Sequence, residues 1–436
     1  MQEKQNTNGL IWFRNNLRTT DNVSLQKAIN QNKKVIAVYF FDPKYFSVDF
    51  FGFKKTEKFR AQFLIETISN LKQSLTQLNI TLLTYFDAPE NKISALCDEF
   101  SVDAIYTQKE WTTEEVDTNN TIKKSIKSDV KLIEDFDQFL YHPETVSNNS
   151  TNIPDVFTQF RKKLEKYVRI QEVVCVNPLS ETNKIENTTE IPSLKDLGFS
   201  NFEMHPKTAF SFKGGETEAL KRLNYYLFDS KKVSFYKKNR NGLVGKDYST
   251  KFSPWLANGS LSAKTIYHQV KKYETKFGKN QSTYWVIFEL IWRDYFKYIS
   301  LKYNTKIFKI GGILDRNYHW NTDKNSIQNW INGETKDDFV NANMLELKNT
   351  GWMSNRGRQN VASYFAKELL QDWRIGAAYF ESMLLDYDVH SNYGNWMYVA
   401  GVGNDPRDRK FNTQLQAERY DASYKFRNLW LEKTLF

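Results

Sequence analysis

Several short groups of residues combine chemically active types at spacings that bring them together. Glu289, Trp292 and Arg293 stand at i, i+3 and i+4 of a run patterned as a helix, so they share one face. A carboxylate, an indole and a guanidinium on one face can hold, stack against and neutralise a planar base. Spacing alone favours a plainer account, a packed Trp flanked by an intrahelical ion pair. Asn355 and Gln359 are also one helical turn apart, with Arg356 and Arg358 between them. Two amides can read the edge of a pyrimidine or a flavin, and two arginines can meet phosphate or carboxylate. A polar helix start capped by Ser354 accounts for the same residues equally well. Asp386 and Asp388, followed by Asn392, come directly after a long helical pattern. A metal would need a third ligand, and only the lone His390 is near, so no metal is expected. Carboxylates that hold Arg358 or accept from ring N–H groups fit better. Lys231, Lys232, Lys237, Lys238 and Arg240 surround Tyr236, which suits a phosphate-bearing ligand or simply a solvated face.

These groups must be positioned by a chain of 436 residues, too long for one compact core, so two domains are expected. In the first third, short apolar runs at 10–13, 35–41, 80–85, 102–107 and 130–133 alternate with helical patterns at 54–78 and 91–100. That alternation predicts a doubly wound parallel sheet, an α/β domain over residues 1–140. No GxGxxG follows the first run, which argues against a dinucleotide on the usual glycine turn. Residues 141–204 form a connector rich in Asn, Ser, Thr and Pro with one helical island, VFTQFRKKLEKYV. From 205 to 436 the patterns are all helical: 216–228, 263–277, 282–302, 324–332, 361–372 and 374–385.

Lys and Arg number 61 against 51 Asp and Glu, a net charge of +10 that favours polyanionic partners. Aromatic residues make up 15% of the chain, which suits stacking on planar ligands as well as an aromatic core. Cys97 and Cys175 form no CxxC, and the five histidines are scattered, so neither a disulfide framework nor a zinc site is indicated. The polar N-terminus has no signal core, and no apolar run reaches membrane-spanning length. A cytoplasmic protein, off the membrane and monomeric, is expected.

The segments TKFSPWLANGSLS, YWVIFELIWRDYF, NANMLELKNTGWMSNRGRQ and DYDVHSNYGNWMYVAGVG together resemble the flavin-binding half of the photolyase/cryptochrome family. At the N-terminus, IWFRNNLRTTDN is similar to that family's WFRxDLRxxDN, with Asn16 in place of the usual Asp. The resemblance runs the full length and implies an antenna-chromophore domain followed by an all-α FAD-binding catalytic domain. It implies FAD contacts at Tyr236, across Ser249, Thr250, Lys251, Phe252 and Ser253, and at Arg358, Asp386 and Asp388, with Asn392 beside flavin N5. Glu289, Trp292, Arg293, Asn355, Arg356, Gln359 and Tyr398 fall among the positions implied to meet lesion and DNA. Trp396, Trp373 and Trp320 fall on the family's electron chain, Trp320 by its ten-residue lead over Trp330. Glu110, in QKEWTTEE, falls where a folate antenna of the methenyltetrahydrofolate type is contacted.

Two features resemble the DASH branch. Gln359 replaces the Met of typical cyclobutane photolyases, and Tyr398 makes the final motif Trp-x-Tyr instead of Trp-x-Trp. The six-four branch carries two histidines where this chain has Asn355 and Gln359, which cannot do acid–base work. In TKDDFVNANML, Lys336, Asp338, Asn341 and Leu345 replace the family's Gly, Pro, Asp and Arg. No extended tail follows the last motif, a feature that tilts the expectation from signalling to repair. The function implied is blue-light-driven, FAD-dependent repair of cyclobutane pyrimidine dimers, with single-stranded DNA preferred. The alternatives are a blue-light receptor that binds DNA or RNA and signals without repair, and a flavoprotein oxidoreductase without photochemistry.

Overall fold

The computed structural model describes residues 7–147, 153–405 and 407–431. Its first third forms one parallel sheet of five strands: β1 (Asn8–Phe13), β2 (Lys34–Phe40), β3 (Leu82–Tyr85), β4 (Ala104–Gln108) and β5 (Lys131–Asp135). Their order is β3-β2-β1-β4-β5. The apolar runs are continuous because both faces of the sheet are covered. From β1, Ile11 and Phe13 pack with Leu25 and Ile29 of the helix Val23–Gln31 and with Ile68, Leu71 and Leu75 of the helix Lys58–Gln77. Leu10 and Trp12 point to the opposite layer, onto Ile93, Leu96 and Ile122 of the helices Pro89–Glu99 and Thr113–Ser125. The helix expected from 54 starts only at Lys58, because Glu57 adopts extended backbone and its carboxylate accepts from the Lys58 N–H. In the Asn- and Ser-rich stretch that follows, Leu179, Leu194, Leu197 and Phe199 join the sheet core. Asn183 exchanges hydrogen bonds with the backbone of Val35.

Beyond residue 205 the described residues are helices and turns, with one isolated bridge between Asn321 and Gln371. The central element is the helix Gln281–Tyr303, started by a capping box from Asn280 and Thr283. The helices Asn355–Ser363, Trp373–Met383 and Val389–Ala400 gather near it. Two helical stretches end in a wide π turn, at Tyr225–Asp229 and Tyr364–Glu368. The unusual segment around Lys336 is regular: Asp337 caps the helix Asp338–Thr350, and the Asn341 amide closes on Thr335 through both its oxygen and its nitrogen.

The turn after β1 docks onto the helical half. Leu17 N–H donates to the Asn258 carbonyl and the Arg18 guanidinium to the Gly259 carbonyl. Gly259 has φ +73°, and a Cβ there would stand 1.8 Å from the Asn15 carbonyl oxygen, so only glycine permits this approach.

Candidate functional site

Asp386 and Asp388 follow the helix Trp373–Met383 and face different cations. Arg358 Nη2 lies 2.9 Å from both oxygens of Asp386, and Arg358 Nε donates to the Met353 carbonyl. Asp388 caps the helix Val389–Ala400 through Ser391 N–H, and its other oxygen meets Lys297 Nζ at 2.8 Å. Burial works against its charge, but Lys297, with Arg293 behind it, outweighs this and holds the carboxyl far below the usual range. One turn on, Asn392 donates from Nδ2 to the Ala377 carbonyl. Asp386 thus holds Arg358, one of the two roles the sequence suggested, whereas Asp388 holds Lys297.

The loop 246–250 is clamped by a residue that sequence reasoning passed over. Arg222 donates to the carbonyls of Lys246, Ser249 and Thr250 and pairs with Asp247. Phe252 is buried and Ser253 opens the helix Ser253–Ala257. Lys251, just before Phe252, adopts φ 63° and is almost wholly buried. Its Nζ stands 3.4 Å from the Tyr248 ring centroid and 4.3 Å from that of Trp352, with no hydrogen-bond partner. Burial pushes the Lys251 ammonium well below its usual value. Burial also raises the nearby Glu346 carboxyl to about 8, and its Oε2 too is unpartnered. An orphaned buried amine beside Arg358 is what a bound diphosphate would protonate and satisfy, so the residues present fit a flavin nucleotide.

The expected trio on the 281–303 helix divides. Glu289 pairs with Arg240 at 2.9 Å instead of with its own helix, and burial raises its carboxyl. Tyr236 shares this cluster, its phenol pushed up to about 12 by burial. Trp292 stacks on Phe157 with centroids 3.6 Å apart and meets Tyr398 edge-on at 6.1 Å. Arg293 turns the other way, donating to the carbonyls of Gln138 and Leu256 at the junction of the two halves. On the helix capped by Ser354, Asn355 is exposed, and Arg356 bonds Gln359, Gln416 and Asn241.

Trp396 and Trp373 are buried, and Trp320 is partly exposed. The Trp396 ring lies against Gly376, one turn along the helix that Trp373 begins. Asn321 pairs with the backbone of Leu370 and Asp372, which draws Trp320 beside that same helix start. Trp396 and Trp320 thus both lie near the helix that Trp373 begins, and Trp320 is the most exposed of the three.

A cavity of about 610 Å³ lies between the halves. It opens at the carboxyl ends of β1, β2 and β4, where the strand order reverses and open α/β sheets bind ligands. Arg14, Gln108 and Glu110 line its sheet side, and Arg293, Lys297, Asp388 and His390 its helical side. Glu110 accepts from Gln108 at 2.6 Å, and burial raises its carboxyl. His390 stacks on Trp111 at 4.4 Å, and Ser300 Oγ bonds both rings. Lys297 and Glu346 carried a signal in the sequence: each is a charge inside an apolar helical run, which calls for a buried partner.

The FAD binding domain of DNA photolyase matches residues 285–434, and the DNA photolyase domain matches residues 9–180. Cryptochrome DASH of Gloeobacter violaceus is 43% identical over 97% of this chain and 85% of its own length. Cryptochrome DASH of Danio rerio is 42% identical over 96% of this chain and 82% of its own. The crystal structure of a Synechocystis cryptochrome superposes with a TM-score of 0.93 at 41% identity, covering 99% of this chain and 89% of that one. An archaeal photolyase from Sulfolobus tokodaii, solved with two FAD molecules, gives a TM-score of 0.77 at 27% identity, covering 98% and 90%. The chain belongs to the photolyase/cryptochrome family, most similar to its cryptochrome DASH members, and its helical half is an FAD-binding domain.

Proposed function

We propose that the protein repairs cyclobutane pyrimidine dimers in DNA by blue light, with single strands preferred. When bound, FAD supplies the photoexcited electron that splits the dimer. The observation that carries this reading is the aromatic corner of Trp292 and Tyr398 beside the Glu289–Arg240 pair. Two aromatic faces at right angles suit the bent, non-aromatic rings of a flipped dimer. Glu289, raised by burial, can share a proton with a pyrimidine carbonyl oxygen. Asn355, Arg356 and Gln359 offer amide and guanidinium donors to the strand. Lys251 and Arg358 hold the cofactor's anionic groups, Tyr236, Ser249, Thr250, Phe252 and Ser253 wall it, and Asp386, Asp388 and Asn392 meet its ring edge.

Trp396, Trp373 and Trp320 relay electrons to the cofactor from outside. The cavity at Glu110 holds a folate antenna, whose pteridine a volume of about 610 Å³ accommodates. Among the described residues no helix is long and apolar enough to cross a membrane. Cys97 and Cys175 are unpaired, which favours a reducing, cytoplasmic setting; we take the protein to act as a monomer. The test is repair of a dimer-containing oligonucleotide in light and in darkness. Light-dependent loss of dimers supports repair. No repair despite bound, light-active flavin would favour the receptor that binds DNA or RNA.

A further inference from the structure

Trp320, the most exposed of the three indoles, has a tyrosine against its ring. Tyr318 lies two positions before Trp320, and the two rings touch edge to face with centroids 5.8 Å apart. Its phenol donates to Asp408 Oδ2 at 3.1 Å and accepts from Arg316 Nη1 at 2.9 Å. Arg316 also donates to the Gly401 carbonyl, at the end of the helix that carries Trp396. Lys367 pairs with the other oxygen of Asp408 at 2.6 Å and stands 5.1 Å from the Tyr318 ring centroid. The phenol is therefore fixed in one orientation, with its proton aimed at a carboxylate.

Resting on the electron-chain reading of Trp396, Trp373 and Trp320, we infer that Tyr318 is the terminal donor of that chain and gives up its electron and proton together. With FAD bound, its photoexcited ring would be the one-electron acceptor, and Trp320 would be left short of one electron. Tyr318 supplies that electron, the Trp320 indole is restored, and the phenolic O–H bond breaks with its proton passing to Asp408. A neutral phenoxyl radical and a protonated carboxyl result, so electrons, protons and charge balance.

The neighbours require the two transfers to be coupled. Lys367 and Arg316 both stand near the Tyr318 ring, so a positive charge left there would be repelled. Loss of the proton removes that charge, and a tyrosyl cation is a far stronger acid than a carboxyl group. Asp408 is available as the base. Partial burial opposes its charge, but Lys367, Tyr318 and Arg316 outweigh this and hold it ionised. The hole then rests on a neutral phenoxyl, and its refilling needs the proton back from Asp408. That lengthens the interval in which the cofactor stays reduced.

The test is transient absorption of the full-length, FAD-loaded protein after a blue flash, without added donor. In the parent, the broad visible band of a tryptophanyl radical should give way to the narrow near-ultraviolet band of a neutral tyrosyl radical. This conversion should slow in deuterium oxide. In Tyr318→Phe the tryptophanyl band should form at the parent yield, persist, and give no tyrosyl band. In Asp408→Asn the tyrosyl band should be delayed or lost, while bound flavin absorbance reports an intact fold. A tyrosyl band retained in Tyr318→Phe, or tryptophanyl decay identical in parent and variant, would overturn the inference while leaving the indole chain standing. Absence of any tryptophanyl band in the flavin-loaded parent would remove the indole chain, and the inference with it.

Discussion

Replacing Lys251 with Met should move two properties in opposite directions. Lys251 is buried, its Nζ has no hydrogen-bond partner, and burial holds it toward the neutral amine. A buried donor left unpaired costs about 1–3 kcal/mol. Met fills nearly the same volume without a polar end, so flavin-free Lys251→Met should be more stable by about that much. With FAD bound, the same position should pair with the diphosphate. Loss of a hydrogen bond to a charged group costs about 1.5–3 kcal/mol, so the FAD Kd should rise roughly ten- to hundredfold. The pH dependence has a definite sign. Because the folded value is depressed, the unfolded chain binds more protons between that value and about 10.4. Lys251 therefore makes the flavin-free parent gain stability as pH rises through this window. Binding of FAD should take up a proton, so parent affinity should fall with rising pH and the variant should respond less. Urea unfolding of the flavin-free proteins and flavin fluorescence titration measure both. A flavin-free variant that is less stable than the parent, with unchanged Kd, would refute the reasoning. It would mean that Lys251 only packs as a cation over Tyr248 and Trp352.

Glu346 is raised to about 8, so the folded state holds its proton more tightly than the unfolded chain. Its contribution is complete below about pH 4.3 and is lost as pH rises toward 8; Glu346→Gln should flatten that slope in unfolding experiments. Trp396→Phe and Trp373→Phe keep an aromatic ring in each buried site but break the indole path, so photoreduction with an external donor should slow sharply in both. Parent rates in both variants would place the path elsewhere. Single-stranded dimers should be repaired faster than duplex ones at one salt concentration, because flipping from a duplex costs a few kcal/mol that Tyr398 and Gln359 are poorly suited to offset. Equal rates would remove that argument.

All five strands could be read from the sequence as β-rich runs between helical patterns, because a covered parallel sheet needs continuous apolar stretches. Their order could not, since β1 lies between β2 and β4 through crossovers that leave no local mark. Helix ends shifted where a single side chain decides, as Glu57 does before Lys58. The wide turns at 225–229 and 364–368 have no periodic signature. At the site, the pairing of Arg358 with Asp386 could be anticipated from chemistry. The partners of Glu289 and Arg293 could not. Intrahelical spacing made them a pair, but Arg240 and two backbone carbonyls from distant segments compete and win. Arg222, whose role is to hold backbone, had no motif to announce it.

Asp388 and Lys297 belong to two walls at once. They line the cavity between the halves, and they brace the turn that carries Asp386 and the start of the helix that carries Asn392. A ligand that stiffens this shared wall from either side lowers the cost of stiffening it from the other. Thermodynamic reciprocity then fixes the outcome. Whatever factor an occupant of the cavity lends to FAD binding, FAD must return to that occupant unchanged. Two chromophore sites built on one ion pair would thus fill and empty as partners, and a preparation stripped of one should bind the other less tightly.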